Sequence, residues 1–287
     1  MALVTDFDPP VGVLREVVRR ALEEDLGTLG DLTSLAVVPE DARGAGRFMA
    51  RRAGVIAGTA AAAEVFRQVD PAVTVRWRVG DGDALDAAAE LGRVEGSLRS
   101  ILGAERTALN LLCHCSGVAT LTRRFVDAVA GTGVRIRDTR KTLPGLRALE
   151  KAAVRAGGGF NHRECLSDAV LIKDNHLAYM PLTEAVERAR AQWPGRIVEV
   201  ECDSLDQVAE AKAAGPDLVL VDNMTPAEVR EAVAVLGGAV PVEVSGGVDL
   251  DTVRAYADAG ADYISVGAIT HSAPILDLAL DLDRHNQ

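Results

Sequence analysis

From about Ser116 onward, apolar residues fall into short runs that alternate with stretches of helical period. The runs cover residues 134–137, 169–172, 197–200, 218–221, 242–244 and 263–266, and each reads as a buried strand. Helical spacing fills residues 146–156, 182–192, 204–214, 226–236 and 250–259. The last four strands start 21 to 24 residues apart, a β/α repeat. Ser204 ahead of Leu205-Asp206-Gln207 reads as a capping box, and Thr225-Pro226 as an N-cap and first helical residue. Such units bury their strands on both faces and predict a parallel sheet.

The first hundred residues read differently. After Pro9-Pro10, Leu14, Val17, Val18, Ala21 and Leu22 recur at helical spacing, and an Ala-rich helix follows between Gly58 and Gln68. Val73, Val75, Trp77 and Val79 alternate with polar residues, as do Val94, Gly96 and Leu98, which predicts half-buried strands. The pattern implies an N-terminal α+β sandwich domain at residues 1–115. A catalytic α/β domain is expected at 116–271, with a C-terminal helix at 272–287 packing back on the first domain.

Six predicted strands are fewer than the eight of a full (β/α)8 barrel. Their C-terminal ends nevertheless all carry chemistry: Asp138, Arg140 and Lys141; Lys173; Glu201; Asp222; Ser245-Gly246-Gly247; and Gly267. An open sheet gathers ligand groups at one crevice, whereas a ring draws them from every strand. The predicted architecture is therefore a TIM-like α/β barrel with fewer than eight regular strands.

Composition narrows the function. The chain has 287 residues and a net charge of −11, which argues against nucleic acid as a general partner. No basic and apolar leader and no bilayer-length apolar run is visible, so a soluble cytoplasmic protein without a membrane partner is expected. Cys113 and Cys115 flank His114, but the spacing of the four cysteines fits no zinc pattern and reads as reduced thiols. Against the acidic whole, Arg123 to Arg163 holds 10 Lys/Arg and 3 Asp/Glu. Concentrating cations at strand ends is self-repulsive unless an anion binds there. The expected ligand is small and multiply anionic.

Individual residues carry alternatives. The loops 243–248 and 265–271, ending in Gly267 through His271, are either phosphate cradles or tight βα turns. Glu201 and Asp222 end neighbouring strands and could share Mg²⁺ or pair with Lys173 or Arg140. His162, after three glycines, is either structural or in contact with substrate. Lys141 and Lys173 could be Schiff-base nucleophiles, although so many cations suit a polyanion better than a carbonyl. Arg106, on an apolar helix, could simply pair with Glu105. Asp222-Asn223 lacks the second acidic residue of the common phosphoribosyl-binding loop.

Six segments together, Glu105–Asn110, Arg137–Gly145, Gly157–Arg163, Leu166–His176, Val221–Asn223 and Glu243–Gly247, resemble quinolinate phosphoribosyltransferase. The most specific string is Asp138-Thr139-Arg140-Lys141-Thr142-Leu143-Pro144-Gly145. The resemblance runs through essentially the whole chain. It implies transfer of phosphoribosyl from phosphoribosyl pyrophosphate to quinolinate with decarboxylation. The products would be nicotinate mononucleotide, CO2 and pyrophosphate, in de novo NAD biosynthesis.

It further implies a homodimer with a shared active site, or a hexamer built from such dimers, in which Arg106 reaches the partner's site. Quinolinate would be held by Arg106, Arg140, His162, Arg163 and Lys173, with Thr139 among the binding residues. Lys141 would serve phosphoribosyl pyrophosphate, Glu201 and Asp222 its Mg²⁺, and Ser245, Gly246, Gly247, Gly267 and His271 its phosphates. Lys141, Lys173, Glu201 and Asp222 would be the catalytic set. Glu164-Cys165 departs from the family pattern, and Glu164 is expected to point outward. Rival readings are a paralogue using nicotinate or serving molybdenum transport, a Schiff-base barrel lyase, and a non-catalytic binder of a phosphorylated metabolite.

Overall fold

The computed structural model describes residues 7–283. The chain begins with α1 (Val11–Leu26), α2 (Leu32–Val37), β1 (Arg43–Ala50), β2 (Gly54–Val55), α3 (Thr59–Val69) and β3 (Thr74–Trp77). It continues through β4 (Ala84–Leu85), β5 (Glu90–Ser97) and the 31-residue α4 (Leu98–Ala128). Next come β6 (Arg135–Arg137), α5 (Arg147–Ala156), β7 (Val170–Ile172), α6 (Asp174–Leu177), α7 (Leu182–Gln192) and β8 (Val198–Cys202). The remainder is α8 (Leu205–Ala214), β9 (Leu218–Asp222), α9 (Pro226–Leu236), β10 (Val242–Ser245), α10 (Val253–Asp258), β11 (Tyr263–Ser265), α11 (Ala268–His271) and β12 (Leu278–Leu282).

Two compact units result. The first takes residues up to Arg123, then Thr142–Gly158 and Thr270 onward; the second takes Arg124–Lys141 and Gly159–Ile269. In the first, an antiparallel sheet runs β12-β1-β5-β3, with β2 and β4 paired separately. Phe48, Phe66, Leu91 and Ile101 are fully buried in it. The helix expected at 272–287 is instead β12, which pairs with β1 from Leu282 opposite Gly46 to Leu278 opposite Ala50. Leu278, Leu280 and Leu282 alternate with Ala279 and Asp281, and period two buries Leu278 and Leu280 on one face. Ahead of it Pro274 lies against α4 at Gly117, where a Cβ would come within 2.1 Å of the Pro274 carbonyl oxygen. Only glycine permits that approach. Residues 284–287 of the predicted helix lie outside the described residues.

The second unit is the α/β barrel. Its strands run parallel in the order β6-β11-β10-β9-β8-β7, and Phe160 adds a parallel bridge to Arg137 on the free side of β6. Laid flat, five strand spacings would put β8 roughly 24 Å from the Phe160 segment. Yet His162, two residues after Phe160, touches Glu199 of β8 at 2.9 Å. The sheet must curl into a ring for the two to meet. Val198, Val200, Val219, Val221, Val242, Val244 and Ile264 are buried between strands and helices. Alternation then turns Glu199, Glu201, Asp222, Glu243, Ser245 and Ser265 to the other face, the interior.

Helix starts follow their caps. Thr225 and Glu228 close a reciprocal capping box over Pro226. Ser204 accepts from the Gln207 amide, but the Gln207 side chain accepts from Asp203 N–H rather than closing the expected box.

Candidate active site

The strand ends of the second unit converge on one pocket of about 340 Å³. Thr139, Arg140, Lys141, His162, Arg163 and Lys173 line it together with Glu201, Asp222, Glu243 and Ser245, and Leu171 and Leu220 give it apolar wall. The register explains the grouping: Ser245 lies opposite Asp222, and Glu243 opposite Leu220. Four cationic side chains and three carboxylates therefore share one small space.

Each group is positioned by local bonds. Asp138 is fully buried, and its carboxylate accepts from the His162 backbone N–H at 2.7 Å and from Asn161 Nδ2 at 2.6 Å. This ties the strand end that carries Arg140 and Lys141 to the loop that carries Arg163. Thr139 Oγ1 accepts from the Lys141 amide. Arg163 donates to the Ala169 carbonyl at 3.1 Å. Burial, and then the neighbouring Arg140, pull the Arg163 guanidinium below its usual pKa, though an arginine so shifted remains a cation.

Lys173 is ion-paired with Glu201. Burial pushes the Glu201 carboxyl up from its ordinary value, Lys173 pulls it down, and the charges of Asp222 and Asp174 add to the rise. Asp222 accepts from Asn223 Nδ2 at 2.7 Å. Asn223 takes a left-handed backbone at φ 57°, and its amide donates to the Ser245 carbonyl at 3.0 Å.

Beneath these groups lies a buried network that the sequence reading did not single out. Glu243 is held by Arg137 and Ser265, while His162 faces both Glu199 and Glu243. Burial and then the Glu199 charge raise the Glu243 pKa, against the pull of Arg137. The signal was present as Val-Glu-Val-Glu at 198–201 and Val-Glu-Val-Ser at 242–245. Period-two polar residues on strands otherwise fully buried mark an inward polar lining once the sheet closes.

Other expected residues are placed elsewhere. Ser245 lines the pocket, while Gly246 and Gly247 form the turn behind it at φ 97° and 61°. Gly267 immediately precedes α11; His271 ends α11, is exposed, bonds to Ser272 and belongs to the first unit. Arg106 is exposed on α4, also in the first unit, and is not among the pocket residues. Glu164 is exposed, as expected. The Cys113-His114-Cys115 run forms no metal cluster among the described residues: His114 bonds to Glu150, and all four cysteines are free thiols.

Among the described residues no helix is long and apolar enough to cross a membrane. Residues 31–116 match the quinolinate phosphoribosyl transferase N-terminal domain and residues 118–281 its C-terminal domain. Among relatives, the nicotinate-nucleotide pyrophosphorylase [carboxylating] of Mycobacterium leprae (strain TN) is 47% identical over 93% of this chain and 96% of its own. The probable enzyme of that name from Bacillus subtilis (strain 168) is 40% identical over 96% of this chain and 95% of its own. The solved nicotinate-nucleotide pyrophosphorylase of Francisella tularensis superposes with a TM-score of 0.91 at 39% identity, covering 96% of this chain and 97% of that one. With both domains matched and relatives this similar over nearly their full length, the chain belongs to the quinolinate phosphoribosyl transferase family.

Proposed function

We propose that this protein transfers the phosphoribosyl group of phosphoribosyl pyrophosphate to the ring nitrogen of quinolinate and decarboxylates the adduct, a step of de novo NAD biosynthesis. The products are nicotinate mononucleotide, CO2 and pyrophosphate. One observation carries the reading: a single pocket sets Arg140, Arg163 and Lys173 against Glu201 and Asp222. The cations suit a planar dicarboxylate, and guanidinium forks match carboxylates closely.

The donor set also suits Mg²⁺. Glu201 and Asp222 are hard oxygen ligands on adjacent strands, and Mg²⁺ commonly takes one or two carboxylates plus substrate phosphates. Bound there, it would neutralise charge on the departing pyrophosphate. Lys141, exposed at the pocket's rim, reaches the same leaving group. Arg140, Arg163 and Lys173 orient quinolinate so that its nitrogen faces the anomeric carbon, a gain from positioning and fixed charge. Nitrogen forms the new bond as the C–O bond to pyrophosphate breaks. The C2 carboxylate then leaves as CO2, its electron pair stays on C2 beside the positive ring nitrogen, and C2 takes up one proton. Leu171 and Leu220 offer a less polar surface where a carboxylate is more readily lost as neutral CO2.

A Schiff-base lyase fits less well: Lys173 is ion-paired where such a nucleophile needs a free amine, and around Lys141 the other cations of the pocket suit a polyanion better than a carbonyl. The protein works as a homodimer in which Arg106 completes the partner's pocket. Support comes from the exposure of Arg106 and from exposed Leu29, Leu32, Leu35 and Val37 in the first unit and Leu166 and Trp193 in the second. Its four free thiols fit the reducing cytoplasm.

The test supplies quinolinate labelled in the C2 carboxylate, phosphoribosyl pyrophosphate and Mg²⁺. Equal yields of labelled CO2 and nicotinate mononucleotide are expected. Nucleotide formed from nicotinate, with none from quinolinate, would overturn the assignment.

A further inference from the structure

His162 makes two hydrogen bonds whose directions fix where its ring proton sits. Its Nδ1 lies 2.7 Å from the Arg163 backbone nitrogen. A backbone amide only donates, so Nδ1 accepts and bears no proton. The ring proton is therefore on Nε2, which faces Glu199 Oε2 at 2.9 Å and Glu243 Oε1 at 3.6 Å. In this geometry the imidazole is neutral, and both nitrogens are engaged by the protein. A cationic His162 holding a substrate carboxylate is a different arrangement.

Two buried carboxylates behind one neutral ring need a reason. The Glu199 side chain is 3% exposed and that of Glu243 is 0%. Glu199 Oε1 meets no hydrogen-bond donor among the described residues. Desolvating a carboxylate with an incomplete set of partners is costly, and an apolar residue would pack the barrel at lower cost. What Glu199 Oε2 supplies is an acceptor for Nε2–H, which no apolar residue provides.

The consequence reaches the pocket through Arg163. With the proton held on Nε2, Nδ1 stays free to fix the Arg163 amide, while Asp138 fixes the His162 amide and the Ala169 carbonyl fixes the guanidinium. Were Glu199 unable to accept, Nε2–H would lose its nearer carboxylate acceptor, and a shift of the proton to Nδ1 would cost the Arg163 amide its partner. We propose that Glu199, backed by Glu243, is a positioning residue that holds His162 as the neutral Nε2–H tautomer, so that Arg163 is the cation meeting a substrate carboxylate at this corner. The naming of that substrate rests on the function proposed above; the state of the ring does not.

The decisive measurement is the nitrogen NMR of ¹⁵N-histidine-labelled protein without substrates, at about pH 7.5, where tautomers of a neutral imidazole are distinct. The signals of His162, one of five histidines, are assigned by their loss in His162→Asn. A protonated Nε2 and a bare Nδ1 are expected. A doubly protonated ring, or a proton on Nδ1, would overturn the proposal.

Kinetics add a second arm. Glu199→Gln keeps an oxygen that can accept from Nε2–H, so the quinolinate KM should stay within about 3-fold of wild type. Glu199→Leu removes it, and the quinolinate KM should rise about 10-fold while that for phosphoribosyl pyrophosphate holds. Equal losses in both variants would make charge, not acceptance, the function of Glu199 and refute the idea. If Glu199→Leu does not fold, the Gln variant and the spectrum decide. Because His162, Glu199 and Glu243 present ligand atoms within 4.8 Å of one another, metal analysis belongs in the test: a stoichiometric ion lost in Glu199→Gln would replace this reading. Absence of turnover in the wild-type protein would sink the proposed function, while the ring spectrum would still judge the tautomer.

Discussion

The Lys173 ammonium, at the end of β7, is ion-paired with the Glu201 carboxylate, at the end of the neighbouring β8. One member belongs to the set proposed to hold quinolinate and the other to the set proposed to hold Mg²⁺. The pair is therefore the resting form of two half-sites that must separate when both substrates enter. Lys173→Met should raise the quinolinate KM by about 10- to 100-fold, the range of one charge-assisted contact. The KM for phosphoribosyl pyrophosphate should change by less than about 3-fold, since Glu201 loses a competitor rather than a ligand. Initial-rate kinetics with each substrate varied in turn would check this, and equal rises would contradict the division of the pocket.

Gly246 and Asn223 brace the turns after β10 and β9. A Cβ on Gly246 would lie 2.3 Å from Asn223 Oδ1 and 2.7 Å from Asn223 N, at a φ of +97°. Gly246→Ala should therefore destabilise the fold by about 1–3 kcal/mol and displace Ser245 from the pocket. Shortening the neighbour in the double variant Asn223→Gly with Gly246→Ala should recover part of the loss, since the clash with the Asn223 side chain goes while the close approach to its backbone nitrogen and the φ strain remain. Thermal melts and the KM for phosphoribosyl pyrophosphate are the readouts. A double variant worse than the single would show that the Asn223 bonds, not its bulk, govern this turn.

The barrel strands were legible because each is a short apolar run closed by a charged or glycine-rich end. Predicted starts such as 218, 242 and 263 coincide with those of β9, β10 and β11. The four catalytic candidates, Lys141, Lys173, Glu201 and Asp222, meet in one pocket because strand ends meet wherever the sheet closes. Glu199 and Glu243 escaped notice for the converse reason: they lie within the strands rather than after them, and chemistry was expected only at the strand ends of a run that reads as buried. In the first unit, β1 was hidden by Gly44, Gly46 and two arginines, and its partner β12 lies more than 200 residues away, so pairing rather than local pattern stabilises both. The expected helix at 272–287 gave way to that pairing.

Asp31 offers a test with a defined pH sign. It caps α2, accepting from Thr33 and Ser34 amides and from the Ser34 hydroxyl. The Ser34 hydroxyl, then its amide, hold the Asp31 carboxyl below its usual range. A depressed folded-state pKa means that the stabilisation is present above the unfolded value of about 3.9 and is lost as pH falls through the lower folded value. Asp31→Ala should cost about 1 kcal/mol at neutral pH, roughly 2–4 °C in Tm, and the gap from wild type should narrow as pH falls below the unfolded value. Calorimetry across that range would show it; a gap that persists in acid would mean that Asp31 contributes by packing and not by charge.

Whether the active site is shared can be decided with two inactive proteins. Arg106 is exposed on α4 of the first unit, whereas Lys141 lines the pocket of the second. If Arg106 serves the partner, a hybrid of Arg106→Ala and Lys141→Ala subunits has one site carrying both defects and one carrying neither. Random exchange makes half the dimers hybrid, each with one intact site of two, so activity should return to about a quarter of wild type in an isologous dimer. If Arg106 acts within its own chain, every site in the hybrid keeps one defect and no activity returns. Mixing must be shown independently, by mass spectrometry of differently labelled subunits, since unexchanged dimers would also stay inactive. Recovery near a quarter would establish that neither chain is complete alone, and that the exposed arginine on α4 is held in place for a substrate bound by the other subunit.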